Sequence, residues 1–270
     1  MATNGGGAYQ ILKNKLITLG KDVHPALVNT YGLNEYNGTI WLAAFDNYMF
    51  SIRENNLRHW NTQTAGFTQP FFRTIEITGK GEVYAGNFDL WKKVGDSWEK
   101  TDYLGNQGLV NVLFEDSNQR LWIGTDVGLS VLERGNFRSF IDADSTQIGS
   151  VQSITELADG TLLFATKDKG VAILSSSSVF DFINTEQGMS SNIVRDVMMT
   201  GSDTLWVATE DKGLNRVLLK QNRSVSEIKT LTTNDGLKDN SLHRLILDDY
   251  GFVWINSNRG IMRIPYKNMN

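Results

Sequence analysis

Residues 120–129 read Arg120-Leu-Trp-Ile-Gly-Thr-Asp-Val-Gly-Leu129. A short apolar run gives way to small residues, and a glycine then opens a second apolar run. That is the pattern of two strands joined by a tight turn. Variants of it recur at Ile40-Trp-Leu-Ala-Ala44, Val83-Tyr-Ala-Gly-Asn87, Leu162-Leu-Phe-Ala-Thr166, Leu205-Trp-Val-Ala-Thr209 and Val253-Trp-Ile-Asn-Ser257. Taking the central residue of each as an anchor gives Trp41, Tyr84, Trp122, Leu163, Trp206 and Trp254, at intervals of 43, 38, 41, 43 and 48 residues. Self-similarity at this period belongs to propeller blades or solenoid units.

The six copies agree in physical requirement more than in letters. Three residues before the anchor stand Gly38, Gly81, Gln119, Gly160, Asp203 and Gly251, the residue types of a tight hairpin. Two residues after it stand Ala43, Gly86, Gly124, Ala165, Ala208 and Asn256, all small enough for close backbone approach. At the following turn come Asn47, Asp89, Gly128, Gly170, Gly213 and Gly260, the residues that best tolerate positive φ. Around each anchor four short strands, a to d, can be traced. In the third copy they are about 110–115, 121–125, 129–133 and 137–141. With no 3.6-residue apolar period anywhere, the chain reads as all-β.

The expected architecture is a β-propeller of six four-stranded blades, at about 26–64, 68–104, 108–144, 149–185, 190–233 and 238–266. The sixth copy lacks a strand d. Lys13-Asn-Lys-Leu-Ile-Thr-Leu19 resembles the other fourth strands, so a segment at about 9–19 is expected to close the last blade and remove open sheet edges. The alternative is an excerpt of a seven-bladed or larger array, with the c-like Tyr9–Leu12 left from another blade.

Composition excludes some functions. Of 270 residues 21% are charged and 40% hydrophobic, the net charge is −4, and no Lys/Arg run stands out, so nucleic acid is not an expected partner. Cysteine is absent, which removes disulfides, thiol nucleophiles and thiolate metal sites. No apolar run approaches the roughly 18 residues that span a bilayer. Residues 1–7 have neither a basic nor an apolar signal-peptide region, so the chain as given is expected to stay in the cytoplasm where it is made.

Two copies carry a longer signature before strand a, Gly188-Met-Ser-Ser-Asn192-Ile-Val and Gly236-Leu-Lys-Asp-Asn240-Ser-Leu. Together with Glu115-Asp-Ser-Asn-Gln-Arg-Leu-Trp-Ile-Gly-Thr-Asp-Val-Gly-Leu129 they resemble the two-component regulator propeller repeat. That repeat builds the extracytoplasmic sensor region of bacterial hybrid two-component systems. The resemblance implies a periplasmic or extracytoplasmic propeller in the parent protein, acting in ligand sensing without catalysis.

In a propeller, strand a lines the channel, and the b–c and d–a loops share one face. Eleven residues before each anchor stand Thr30, Arg73, Asn111, Gln152, Arg195 and His243, all polar. They are expected to ring the channel mouth. One reading is that channel-facing positions are simply wet. The other is that arginines, amides and a histidine bind a carboxylate, a sulfate or a sugar. Asn47, Phe88, Asp126, Lys167, Lys212 and Arg259 on the b–c loops join the candidate ligand-binding set. Phe71 and Phe72 are read as core.

Catalysis finds little support. There is no GxSxG, HExxH or phosphate-binding glycine loop. The turns at Asp116-Ser-Asn and Asp248-Asp-Tyr-Gly251 lack the loop length and terminal Glu of a calcium site. No cofactor and no metal are expected. The leading function is a non-catalytic propeller recognising a small polar ligand such as a glycan fragment. A protein-interaction scaffold is the alternative, and a metal-dependent lyase of the streptogramin-cleaving type, using His24 or His243, the third reading.

Overall fold

A computed structural model describes residues 2–3, 7–12, 15–19, 24–44, 48–54, 56–69, 71–103, 108–140, 148–175 and 180–266. Among the described residues strands supply nearly all of the regular structure, with one short α-helix at Thr62–Ala65. The fold is a six-bladed β-propeller of antiparallel sheets, blades 1 to 5 running a-b-c-d in sequence order and blade 6 a-b-c among the described residues.

Blade 1 consists of Thr30–Tyr36, Thr39–Ala44, Met49–Arg53 and Asn56–Trp60, and blade 2 of Thr74–Ile77, Val83–Gly86, Leu90–Val94 and Ser97–Lys100. Blade 3 consists of Val110–Glu115, Leu121–Thr125, Leu129–Glu133 and Asn136–Phe140. Blade 4 is Val151–Glu156, Leu162–Thr166, Val171–Leu174 and Phe180–Ile183, and blade 5 Val194–Thr200, Thr204–Thr209, Leu214–Leu219 and Val225–Leu231. Blade 6 has Leu242–Leu247, Phe252–Ser257 and Gly260–Pro265.

Within the first unit the N-terminal segment forms a sheet. Lys15–Leu19 is hydrogen-bonded to Gly7–Leu12, which also pairs with Ala2–Thr3, in a three-stranded sheet of its own. The sheet of blade 6 has three strands among the described residues. Two strands adjacent in sequence close a much shorter loop than a pairing across the chain, and their pairing carries the smaller entropy cost.

By packing, the chain forms two units, 1–139 and 140–270. Within each, the core lies between neighbouring blades. In the first unit, Trp60, Phe67, Phe72, Ile75 and Trp91 fill the space between blades 1 and 2, and Tyr84, Leu90, Leu113 and Ile123 that between blades 2 and 3. In the second, Leu163, Ile173, Val197 and Val207 join blades 4 and 5, and Trp206, Leu214, Leu245 and Ile255 join blades 5 and 6. Phe72 is core, as expected, with no exposed surface.

Three of the anchors are held by a side chain six residues earlier. Asp116 takes the Trp122 indole N–H on Oδ2 at 2.8 Å, and Asp248 does the same for Trp254 at 2.8 Å. In blade 5 the Thr200 hydroxyl accepts from Trp206 at 2.9 Å. Asp116 also accepts the backbone N–H of Asn118 (3.0 Å) and Arg120 (2.9 Å) and the Arg120 Nε at 2.6 Å. The turn carboxylates are therefore occupied structurally, in agreement with their reading as hairpin turns.

The longer signature has an equally local role. Gly188 and Gly236 end short 3-10 turns at φ 102° and 103°, a conformation that favours glycine. Asn192 and Asn240 then clamp the loop. Their side chains accept from Thr185 N and Thr233 N, both at 2.8 Å, and their carbonyls accept from Gly170 N and Gly213 N.

Candidate ligand-binding face

Strand a of each blade starts with an extra residue. In blade 3, Val110 faces Thr125 and Val112 faces Gly124, so Asn111 has no partner in the ladder. Gln152, Arg195 and His243 hold the same place in blades 4, 5 and 6. In blade 2, Arg73 N donates to Gly86 O and Thr74 also faces Gly86, again two residues against one. Such a bulge breaks the in–out alternation and re-aims one side chain, which is how each blade presents a polar residue at this end.

Blade 1 departs from the expectation. Its bulge residue is Tyr31, between Thr30 facing Ala44 and Gly32 facing Ala43. Thr30 is 1% exposed, and its hydroxyl donates to Leu27 O at 2.8 Å. The cause is the a–b connection, where Asn37 and Gly38 at φ 49° and 75° form a two-residue turn. Four residues separate the facing pair Glu35 and Ile40, against five between Glu115 and Leu121. Counting back from Trp41 therefore lands one residue early.

The b–c loops are fastened by a position that the sequence reading passed over, three residues after the anchor. The Thr125 hydroxyl accepts from Val127 N and Gly128 N and donates to Gly128 O. Thr166, Thr209 and Ser257 donate in the same way to Gly170, Gly213 and Gly260 O, at 2.8, 2.7 and 2.8 Å. In blade 2 the Asn87 Oδ1 accepts from Asp89 N at 2.7 Å. The alignment carried the signal, since five of the six copies have a hydrogen-bonding residue there.

On these loops and bulges two networks form, one in each unit. In the first, Arg73 Nη1 donates to Asn111 Oδ1 at 2.6 Å, and Asn111 Nδ2 donates to Asp126 Oδ1 at 2.7 Å. Arg73 Nη1 lies 3.8 Å from the same carboxylate oxygen. In the second, Arg195 Nη1 donates to Gln152 Oε1 at 2.9 Å and Arg195 Nη2 meets Glu210 Oε1 at 2.8 Å. Gln152 Nε2 goes on to Ser150 Oγ at 2.8 Å. Arg195 Nε and Glu210 Oε2 are buried without a hydrogen-bond partner among the described residues. In blade 6, His243 Nε2 and Asn258 Oδ1 are 2.7 Å apart, and Asn258 Nδ2 donates to Ser241 Oγ at 3.0 Å.

The structure thus brings Arg73, Asn111 and Asp126 together, Gln152 with Arg195, and His243 with its own loop. Phe88 is exposed at 41%, Tyr31 at 40% and Val127 at 39%, so the first unit adds apolar surface at this end of its blades. Lys167, Lys212 and Arg259 are exposed loop residues of the second unit. Asn47 lies outside the described residues.

Histidine and carboxylate chemistry is dispersed. Among the described residues no group of three or more His, Asp or Glu is placed to hold a metal. His24 Nδ1 accepts from Ala26 N at 3.2 Å, and its ring lies 4.6 Å from Tyr48 and 5.0 Å from His59. Burial, and secondarily the charge of His59, lowers its pKa. Glu76, on strand a of blade 2, accepts from Asn34 Nδ2 of blade 1 at 3.1 Å. Its carboxyl is pushed up to about 7, chiefly by burial, with the neighbouring Glu115 charge adding to the rise.

Comparison with known proteins places this architecture. Residues 104–127 match the two component regulator propeller model, the repeat family already indicated by the motifs. A histidine kinase P4 of Formosa agariphila is 25% identical over 139 residues, 48% of this chain and 10% of that protein. The extracellular domain assigned to a hybrid two-component system of B. thetaiotaomicron superposes with a TM-score of 0.59 at 16% identity, covering 99% of this chain and 43% of that one. Virginiamycin B lyase from Staphylococcus aureus superposes with a TM-score of 0.67 at 11% identity, covering 88% of this chain and 84% of that one. The chain thus spans under half the length of the two-component proteins it matches. At these identities the structural likeness establishes the fold, which sensor domains and a lyase share. No helix among the described residues is long and apolar enough to cross a membrane.

Proposed function

We propose that this chain is the ligand-recognition propeller of a two-component sensor, acting on the extracytoplasmic side. In this reading it binds a small polar ligand, such as a glycan fragment, at the bulge end of its blades. The observation that carries it is the repeated convergence of variable polar side chains from neighbouring blades, Arg73 with Asn111 and Asp126, and Arg195 with Gln152 and Glu210. The framework around them is invariant in its physics, whereas these positions differ from blade to blade. Variable polar groups on a rigid scaffold are the usual make-up of a recognition surface. The groups hydrogen-bond to one another and are not set out as nucleophile and base, which supports binding over catalysis.

Calorimetry against a glycan panel tests the proposal, with Arg73→Ala and Arg195→Ala as variants. Binding that each substitution weakens by about tenfold or more, the order expected for losing a charge-assisted hydrogen bond, supports it. Failure of every panel member to bind overturns it. A second reading, a protein-interaction scaffold, is favoured by one exposed apolar patch on blade 6: Ile246 at 55%, Leu247 at 40% and Tyr250 at 87%.

A further inference from the structure

We infer that the bulge-end networks select uncharged ligands and discriminate against anions. This deepens the ligand-binding reading above and rests on it. An unpaired arginine on such a surface attracts sulfate, phosphate or a uronate through its two-pronged guanidinium. Neither arginine here is unpaired. Each is a bulge residue that gives one Nη to the amide of an adjacent blade, Asn111 for Arg73 and Gln152 for Arg195. Each also lies beside a carboxylate four residues after an anchor, Asp126 or Glu210.

The arrangement is reached twice with different residues. In the first unit the amide and the carboxylate come from the blade after the arginine. In the second unit the amide comes from the blade before it and the carboxylate from its own. What repeats is the charge balance at equivalent positions.

An anion approaching Arg73 would sit against the Asp126 carboxylate, which is 46% exposed; at Arg195 it would meet Glu210, 34% exposed. Like charges at such distances oppose each other, and the opposition grows where water is partly excluded. The partly exposed carboxylates can still accept from hydroxyl or amide donors. Because each is already neutralised by its arginine, neither attracts a cation strongly. In the first unit Phe88 and Tyr31 add exposed ring surface at the same end of the blades, suited to the apolar face of a ring-shaped ligand.

Calorimetry of the intact chain against oligosaccharide pairs that share ring configuration and differ in charge tests this directly. Oligogalacturonides with their methyl esters, and sulfated glycans with their desulfated forms, serve as probes at about 50 and 500 mM NaCl, which spans strong to weak screening. The neutral member is expected to bind about tenfold more tightly, with less than about a twofold change between the two salts. Asp126→Asn and Glu210→Gln keep shape and remove the internal charge, so the anionic member should gain about tenfold in the variant whose network it touches. Tighter wild-type binding of the anionic member, falling steeply with salt, overturns the inference and leaves the binding reading intact. An unchanged preference in both variants, with circular dichroism showing them folded, also overturns it. If either variant fails to fold, the wild-type comparison decides alone. Binding of neither member of any pair overturns the ligand-binding reading itself.

Discussion

Replacing Asp116 tests whether the stretch from Arg120 to Leu129 is framework and not a binding loop. Its carboxylate holds four donors: Asn118 N, Arg120 N, Arg120 Nε and the Trp122 indole N–H. Trp122 has no exposed surface, so Asp116→Ala removes the carboxylate acceptor of a buried N–H, costing about 1–3 kcal/mol. The turn amides and Arg120 can turn to solvent, and their lost hydrogen bonds add roughly 0.5–1 kcal/mol each. The sum is about 2.5–6 kcal/mol.

Asp116→Thr separates the contributions. Blade 5 uses Thr200 six residues before Trp206 to accept the indole proton, so threonine at 116 should restore the buried acceptor and lose only the turn bonds. About 1–3 kcal/mol of the loss should remain. Urea unfolding followed by tryptophan fluorescence and circular dichroism reads both variants, with midpoints shifting at constant slope. Equal losses for alanine and threonine, or a loss under about 1 kcal/mol for alanine, would refute the role given to the indole bond.

Glu76 predicts a pH dependence. Its folded-state pKa of about 7 exceeds the reference value of 4.5, so its contribution is fully present below about 4.5 and is lost as pH rises through 7. Allowing for its partial exposure, the loss amounts to roughly 2–3 kcal/mol. Urea midpoints between pH 5 and 8 should fall less steeply in Glu76→Gln, and parallel profiles would contradict the assignment. Two glycines of near-identical φ should respond differently to alanine. At Gly170 (φ 84°) a Cβ would lie 2.3 Å from Ile183 O, whereas at Gly160 (φ 82°) it meets nothing within 4 Å. Gly160→Ala should cost about 1 kcal/mol and Gly170→Ala roughly 3 kcal/mol or more, since backbone must move. Similar melting temperatures for the two variants would count against the close-approach argument.

Much of the fold was legible because a repeat states the same requirement six times. Trp122, Gly124 and Gly128 could each be ambiguous alone, yet their counterparts fixed strand, close approach and turn. Five of the six residues counted back from the anchors are the bulge residues seen in the structure. The sixth, Thr30, missed by one because a shorter hairpin shifts the count without changing the local pattern. The pairing of Lys15–Leu19 with Gly7–Leu12 was not legible, because resemblance to a d strand does not reveal every partner. The partnerships that define the candidate site were invisible for a related reason. Arg73 meets Asn111 across 38 residues and Arg195 meets Gln152 across 43, and nothing within one repeat encodes which neighbour supplies the acceptor.

Hydrogen–deuterium exchange of the intact chain, with and without the tightest-binding neutral oligosaccharide from the panel, tests most directly whether recognition lies where the six repeats differ. Protection is predicted at 108–113 and 124–128 in the first unit, or at 150–153, 193–196 and 208–212 in the second, with the outer strands Ser97–Lys100, Asn136–Phe140 and Val225–Leu231 unchanged. Protection confined to those outer strands, or to the Ile246–Tyr250 patch, with both bulge-end networks exchanging as before, would contradict it.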